Sequence, residues 1–304
     1  MLRPCRLRPR ISRKQPFTIR VLAADQARRP LQLRTLRFSL RQIMNYTFYT
    51  RTDPGRAREN NEDAVAVDDD TQLCVLADGM GGYNAGEIAS GMATAFIKSE
   101  MARWLSEAGR HAKIKEIRRA LEICVDNANR SIFNASDSNP QYSGMGTTLV
   151  VGVFHGATLV LGHIGDSRCY RLRNAELSQI TKDHSLLQEQ IDAGLITQEQ
   201  ASSSTIKNLV TRALGVEDAV MLELNEHNIE VGDCYLMCSD GLSDMVDDAQ
   251  IASILGGPIP MEQKADSLVA AANENGGRDN ISVLLVEVDA ATEKRGLISR
   301  LLGK

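Results

Sequence analysis

Several features that define other protein classes are missing from this sequence. No stretch of the 304 residues approaches the roughly 18 to 20 consecutive apolar residues of a membrane-spanning helix, so the sequence predicts no membrane span. The six cysteines include no C-x-x-C pair, and Cys74, Cys169, Cys234 and Cys238 lie within apolar runs, which is typical of reduced core residues in a cytosolic protein. The sequence therefore indicates neither a disulfide framework nor a zinc site.

Motifs for several kinds of catalysis are also missing. We find no G-x-S-x-G nucleophile elbow, no Walker loop and no H-E-x-x-H zinc motif. The five histidines have no spacing with one another that is typical of metal ligands. If the chain is an enzyme, these absences argue against a nucleophile supplied by the protein and favour water activated by metal ions.

Charge is divided unevenly along the chain, whose formal net charge is −4. Residues 1–44 hold 12 of the 35 Lys and Arg residues but a single acid, Asp25, whereas the remainder is acidic. The segment 1–43 has no sustained apolar period and contains four prolines, so we expect a disordered basic extension, or an untranslated one with Met44 as the true start. Its composition also leaves open a transit peptide or an arm that binds nucleic acid or an anionic surface.

Apolar patterning predicts one domain over residues 44–290, followed by a short basic tail at 291–304. Helical spacing of apolar residues predicts four helices, at 85–105, 114–133, 247–255 and 261–275. Apolar or alternating runs predict strands, among them 64–67, 73–77, 147–154, 157–164, 234–238 and 281–288. The polar stretch 181–215 is helical only in part, and we interpret it as an insertion that covers another part of the molecule.

The stretch LCVLADGMGG, residues 73–82, carries the strongest local signal. Its apolar run predicts a strand buried on both faces, and the glycines that follow predict a tight turn. The Asp78 carboxylate then lies at the end of a core strand, where a divalent cation would compensate its charge. Two other interpretations stay open from this segment alone. Asp78 could be a simple turn residue, or the glycines could form a dinucleotide-binding turn, although Asn84 stands where that motif needs its third glycine.

The same setting, an acid at a glycine-containing turn beside a predicted buried strand, occurs at Asp78, Asp166, Asp240 and Asp279. Together with Glu62 and Asp63, such a cluster would stay ionised only if metal ions neutralised it. Oxygen ligands without histidine pairs or thiolates select Mg²⁺ or Mn²⁺ over zinc. Arg58 then becomes a candidate for binding a phosphoryl group, because a guanidinium can contact two of its oxygens at once.

Six motifs follow one another through the chain: R-E-N-N-E-D, A-D-G-M-G-G, G-M-G-T-T, I-G-D-S-R, S-D-G-L-S-D and G-G-R-D-N-I-S-V. In this order and at these separations they resemble the metal-dependent protein phosphatase family of the 2C type, in its bacterial form, over Met44 to Asp289. The resemblance implies an α+β fold, a four-layer αββα sandwich in which two antiparallel sheets are flanked by pairs of antiparallel helices. It also implies a flap beside the metal site, which residues 181–215 match.

The resemblance assigns a role to each candidate residue. Two tightly bound Mn²⁺ or Mg²⁺ ions would be held by Asp78 as the bridging ligand and by the Gly79 carbonyl, Asp240 and Asp279. Glu62 and Asp63 would hold metal-bound waters, and Arg58 would bind the substrate phosphate. Catalysis would therefore rest on Arg58 and on the metal-binding aspartates.

The resemblance also raises the question of a third ion and of a proton donor. Asp166 and Asp244 match the positions that hold a third, weaker ion in bacterial members. Met80 stands where animal members have a histidine that serves as general acid, and methionine cannot donate a proton. The proton would then come from metal-bound water or from His184 in the sequence KDHS, although a lone histidine in a polar segment is more often a plain surface residue.

The function implied is hydrolysis of phosphoserine and phosphothreonine in proteins, in the cytoplasm, by a monomer that opposes a eukaryotic-like Ser/Thr kinase. Its partners would be phosphorylated proteins and that kinase, without nucleic acid. One alternative is a stress-response regulator phosphatase specific for one small protein. Another is a metal-poor pseudophosphatase that serves as a binding module, which would require the replacement of Asp78, Asp240 or Asp279.

Overall fold

The structure is a computed structural model that describes residues 44–82, 85–197, 200 and 209–290. Its strands are β1 Met44–Asp53, β2 Asp63–Asp68, β3 Leu73–Met80, β4 Gly146–Thr147, β5 Leu149–His155, β6 Thr158–Ile164, β7 Arg168–Arg173, β8 Glu176–Gln179, β9 Glu223–Asn228, β10 Cys234–Cys238 and β11 Ile281–Ala290. Its α-helices are α1 Ala85–Ala108, α2 Ile114–Ser138, α3 Leu186–Asp192, α4 Asp240–Ser243, α5 Asp248–Gly256 and α6 Met261–Glu274.

The strands form two antiparallel sheets. The first sheet has the order β1-β11-β10-β7-β8, and the second has the order β2-β3-β5-β6-β9, with the short β4 paired to the end of β3. In the second sheet, Asp63 of β2 lies directly opposite Asp78 of β3. Because residues directly opposite on neighbouring strands project to the same face of a sheet, this register places the two carboxylates on one face.

Alternation along β3 shows how the layers are built. Leu73, Val75 and Ala77 pack against α1 and α2, whereas Cys74 and Leu76 face the first sheet. A third cluster joins the first sheet to α5 and α6. All five residues are fully buried, as predicted for a strand covered on both faces, and the expected α+β sandwich of two antiparallel sheets between helices is confirmed.

Most predicted elements agree with the structure within a few residues, and the differences have physical causes. Helix α2 ends at Ser138 rather than at 133, where its last turn becomes too polar for an apolar pattern to show. Strands β8 and β9 escaped prediction because each lies at the end of its sheet order and has the polar sequence ELSQ or ELNEHN. An edge strand needs no continuous apolar run, since one side has no neighbouring strand.

Other predictions concern segments that are described only in part. The basic extension 1–43 and the tail 291–304 lie outside the described residues, as do ten positions of the insertion 181–215. Within the described residues, the five cysteines are free and buried, and no helix combines the length and apolar character that crossing a membrane requires.

Replacing Leu76 with alanine tests the contribution of the layer between the sheets. Leu76 is fully buried there, so Leu76→Ala should lower the free energy of unfolding by about 2–5 kcal/mol, through lost apolar burial and a residual cavity. Urea unfolding measures this directly. The matched control is Leu195→Ala, because the Leu195 side chain is 73% exposed. It should change the free energy of unfolding by no more than about 0.5 kcal/mol. Equal effects of the two variants would contradict the packing of Leu76 in the core between the sheets.

Candidate metal centre

Carboxylates from both sheets converge beside the end of β3. Asp63 and Asp78 come from facing positions of the second sheet, whereas Asp240 begins α4 directly after β10, and Asp279 precedes β11 in the first sheet. Burial raises the pKa of Asp78 well above its usual range, and the negative charges of Asp63, Asp240, Asp166 and Asp279 raise it further. The predicted acids therefore form one electrostatically coupled cluster.

The same causes act on the other acids of the cluster. The pKa of Asp240 is raised well above its usual range by burial and then by Asp166 and Asp244. Burial is also the main cause that raises the pKa of Asp63, and it raises that of Asp166 to about 6. The protein alone thus leaves these negative charges uncompensated, which is costly in a buried site.

One carboxylate of the cluster is left partly without a partner. Asp63 Oδ2 accepts a hydrogen bond of 2.8 Å from Ser239 Oγ, but its buried Oδ1 has no hydrogen-bond partner among the described residues. A buried oxygen without a donor, within a group of acidic oxygens, fits a hard divalent cation such as Mg²⁺ or Mn²⁺. The donor set therefore fits the metal that the sequence predicted.

Two threonines of the G-M-G-T-T motif hold the backbone of Asp78. Its N–H donates to Thr148 Oγ1 at 3.0 Å, and its carbonyl accepts from Thr147 Oγ1 at 2.8 Å and from the Thr148 amide at 2.8 Å. Thr148 Oγ1 also lies 2.7 Å from Ser167 Oγ, next to Asp166. Sequence reasoning assigned these hydroxyls no role, although their motif was part of the resemblance.

Two glycines allow the backbone to pack closely at Glu62. A Cβ added to Gly79 would lie 2.2 Å from the Gly86 carbonyl oxygen, and one added to Gly86 would lie 2.6 Å from Glu62 Oε2. Any side chain at either position would therefore push the start of α1 away from β3 and Glu62. The structure explains in this way why glycine follows Asp78.

Asn280 fixes the loop that carries Arg58. Its Oδ1 accepts from the Glu62 amide at 2.7 Å, and its Nδ2 donates to the carbonyl oxygens of Asn60 at 2.8 Å and Pro54 at 3.0 Å. Sequence reasoning missed this residue. These three bonds hold the loop from Pro54 to Glu62 beside Asp279.

Arg58 forms an ion pair with the cluster but stays accessible. Its Nη2 lies 2.7 Å from Asp279 Oδ2, and its side chain is 54% exposed. A guanidinium carries five N–H donors, so this single contact leaves donors free for an anion. The position agrees with the predicted phosphate-binding role, which stays a proposal.

Asp166 and Asp244 both lie near Asp240 and near each other, since the charge of Asp244 also raises the pKa of Asp166. Both carboxylates raise the pKa of Asp240, and the Asp244 amide donates to the Asp240 carbonyl at 2.8 Å, in the turn that ends α4. Asp166 is only 8% exposed, whereas Asp244 is exposed. The two acids predicted to hold a weaker ion are thus brought together, at the outer side of the cluster.

His184 does not fit the alternative role of proton donor. Its Nδ1 accepts a hydrogen bond of 3.1 Å from the Gly165 amide, so the ring proton is on Nε2, which lies 3.2 Å from Glu223 Oε2. Burial and the neighbouring His163 lower the pKa of His184. The ring is therefore neutral near pH 7, with both nitrogens engaged in holding the start of the flap.

His163, His184 and Glu223 have ligand atoms within 4.8 Å of one another, a grouping that sequence spacing did not reveal. The two imidazoles are stacked, with centroids 4.6 Å apart and planes 15° from parallel. A metal ion must lie in the plane of each imidazole that binds it, because the nitrogen lone pair lies in that plane. Nearly parallel stacked rings cannot both meet this condition, so the grouping is a packing contact rather than a second metal centre.

Comparison with known proteins identifies the family. The family model described as Protein phosphatase 2C matches residues 55–285. Serine/threonine phosphatase stp of Listeria monocytogenes serotype 4b (strain F2365) is 39% identical over 252 residues, which make up 81% of this chain and 97% of that protein. Serine/threonine protein phosphatase PstP of Mycobacterium tuberculosis (strain ATCC 25618 / H37Rv) is 40% identical over 242 residues, or 79% of this chain and 45% of that protein.

Solved structures agree with these sequence relatives. The crystal structure of M. tuberculosis PstP/Ppp superimposes with a TM-score of 0.73 at 38% identity and covers 81% of this chain and 99% of that one. The catalytic domain of PstP in complex with two manganese ions gives a TM-score of 0.70 at 38% identity, over 81% and 99% of the two chains. By sequence, fold and the chemistry of its acidic centre, this chain belongs to the protein phosphatase 2C family, as a metal-dependent protein serine/threonine phosphatase of the bacterial type.

Proposed function

We propose that two divalent cations, Mn²⁺ or Mg²⁺, are bound tightly by the oxygens of Asp78, Gly79, Asp240 and Asp279, with Glu62 and Asp63 in supporting positions. The observation that carries the proposal is the group of clustered carboxylates whose negative charges raise the pKa of Asp78 and Asp240, beside an accessible arginine. PstP, which shares this fold, has been crystallised with two manganese ions. The ligand set contains only oxygen, which selects hard cations.

The proposed chemistry divides between the ions and the protein. When bound, the ions lower the pKa of water and neutralise negative charge on the phosphoryl group. Arg58 binds the phosphoryl oxygens from the exposed side, while its contact with Asp279 fixes the direction of the guanidinium. Thr147, Thr148 and Asn280 act on the backbone and keep the acidic side chains in place during turnover.

The biological setting is also part of the proposal. Phosphorylated proteins are the substrates, the enzyme works as a monomer in the cytoplasm, and it opposes a eukaryotic-like Ser/Thr kinase. A regulator phosphatase with one small protein substrate would use the same centre, so peptide specificity distinguishes it. A metal-poor pseudophosphatase is disfavoured, because Asp78, Asp240 and Asp279 are all present in the cluster.

Hydrolysis of a phosphothreonine peptide by the full chain tests this function. Mn²⁺ should support turnover and EDTA should abolish it, whereas a phosphotyrosine peptide of the same sequence should react poorly. Asp240→Asn should lower kcat by about 10³-fold or more, because it removes a charge that positions the ions. The exposed Asp137→Asn, on α2, is the matched control and should leave kcat unchanged. Wild-type turnover by Asp240→Asn at saturating Mn²⁺ would refute the metal assignment.

A third, weaker ion is proposed between Asp166 and Asp244, with calorimetry as its test. A site with only two carboxylates should bind a hard cation less tightly than the main pair. Titration of the wild type with Mn²⁺ should therefore show two tight sites and one weak site. Asp166→Ala should lose the weak site and keep both tight ones. Loss of a tight site would instead place Asp166 in the main pair.

The raised pKa values also predict how stability depends on pH and metal. In the metal-free protein, folding favours the protonated form of these acids, so their contribution to stability is full below about pH 4. It begins to be lost as pH rises through about 6, the pKa of Asp166, and the loss continues through about 7, the pKa of Asp63. The Tm of the protein in EDTA should therefore fall between pH 5 and pH 8. Mn²⁺ should raise Tm more at pH 8 than at pH 5, because it replaces those protons.

The variant Asp240→Asn isolates this effect in thermal unfolding experiments. His184 and His227 have lowered pKa values, so their contributions change with the opposite sign as pH rises. Because the histidines are unchanged in the variant, the difference between its pH profile and that of the wild type reports the acidic cluster. In EDTA, the Tm of Asp240→Asn should fall less between pH 5 and pH 8 than the Tm of the wild type. Identical profiles would contradict the predicted repulsion.

A further inference from the structure

The start of the flap is hydrogen-bonded to the turn that carries Asp166. The His184 amide donates to the Gly165 carbonyl at 2.9 Å, and the Gly165 amide donates to His184 Nδ1 at 3.1 Å. His184 therefore satisfies both backbone groups of the residue directly before Asp166. One of these bonds depends on the imidazole, so a substitution can remove it alone.

A second set of contacts holds the other side of the same turn. Arg168 forms a bidentate ion pair with Asp183, in which Nε donates to Oδ1 at 3.1 Å and Nη2 donates to Oδ2 at 2.7 Å. The Cys169 amide donates to Thr181 Oγ1 at 2.9 Å. The flap thus begins by contacting the chain immediately before and after Asp166.

The imidazole of His184 is itself held in a fixed orientation. It stacks on His163, whose Nε2 donates to the Lys182 carbonyl oxygen at 2.7 Å. His184 is 7% exposed and His163 is 1% exposed. Because the Gly165 amide donates to Nδ1, the proton of the neutral ring lies on Nε2, which is 3.2 Å from Glu223 Oε2 and 3.4 Å from Arg212 Nη1.

The turn requires such support because its backbone conformation is unusual. Gly165 has a φ of +100°, and a Cβ there would lie 2.7 Å from Thr148 Cγ2. Glycine is needed at this position, and it is also the residue whose backbone is least restrained by its own side chain. Hydrogen bonds from outside the turn therefore limit where the Asp166 carboxylate can move.

We propose that His184 is a positioning residue for Asp166, and that through the Gly165 amide it sets the affinity of the weak ion site. This inference rests on the proposed role of Asp166 and Asp244 as ligands of a third ion. With so few charged ligands, that site depends strongly on where each carboxylate is held. Partners that orient a metal ligand typically change metal affinity by about 10–100-fold when they are removed.

Three substitutions at His184 separate the hydrogen bond from mere filling of space. Asparagine places its Oδ1 near the position of Nδ1 and can accept from Gly165, whereas glutamine places its oxygen near Nε2 and alanine offers no acceptor. We expect His184→Ala and His184→Gln to weaken the weak Mn²⁺ site by about 10-fold or more in calorimetry. His184→Asn should restore most of that affinity, and both tight sites should keep their affinity in all three variants.

A metal-free measurement gives an independent readout. Hydrogen exchange of the Gly165 amide, followed by NMR in EDTA, should become faster in His184→Ala and His184→Gln but remain slow in His184→Asn. His111→Ala, at an exposed histidine, is the control and should match the wild type in both experiments.

The outcomes distinguish this inference from the proposal on which it rests. Unchanged Gly165 exchange in His184→Ala, or an unchanged weak site, would overturn the positioning role. The same conclusion follows if all three variants lose equal affinity, since filling of space would then be the cause. If Asp166→Ala keeps the weak site, the third-ion assignment fails. The positioning role would then also fail as stated, even if Gly165 exchange showed that the hydrogen bond exists.

Discussion

Repulsion among clustered carboxylates is the constraint on which the rest of this structure depends. Asp166 is buried and Asp63, Asp78 and Asp240 are half-buried, and the charges of Asp63, Asp166 and Asp240 all raise the pKa of Asp78. A fold that only minimised its free energy would not place them together. The surrounding structure must therefore resist their separation, and cations must supply the charge that the protein does not.

That resistance comes from hydrogen bonds that join the two sheets at the site. Ser239, directly after β10 of the first sheet, donates to Asp63 in the second sheet. Asn280, directly before β11, accepts a hydrogen bond from the amide of Glu62, directly before β2. Below these contacts, the layer containing Leu76 and Leu284 fixes the separation of the sheets. The acids therefore occupy positions set by the sandwich as a whole rather than by one loop.

The sequence was sufficient to predict the acids at the strand ends but not the long-range contacts that hold them, for a physical reason. Apolar runs ending in an acid and a glycine predicted where Asp78 and Asp240 lie, because strand ends and tight turns are local features. The Asn280–Glu62 bond joins residues 218 positions apart, and the stacking of His163 on His184 depends on the path of a polar segment. The apolar periodicity of a short segment carries no information about such long-range contacts. The edge strands β8 and β9 were missed for a related reason, since their pairing, and not their composition, makes them strands.

The same architecture explains why one ion site would differ from the other two. Asp78 follows five fully buried residues of the core strand β3, and its backbone N–H and carbonyl are both hydrogen-bonded to threonine hydroxyls. Asp166 lies instead in a turn whose outer contacts come from His184 and Asp183, at the start of an insertion. A ligand on a strand can move only if a sheet deforms, whereas a ligand on a turn can move when the insertion does. If Asp166 and Asp244 hold a third ion as proposed, movement of the flap would change that site without disturbing the main pair, because the flap contacts the Asp166 turn through the backbone of Gly165.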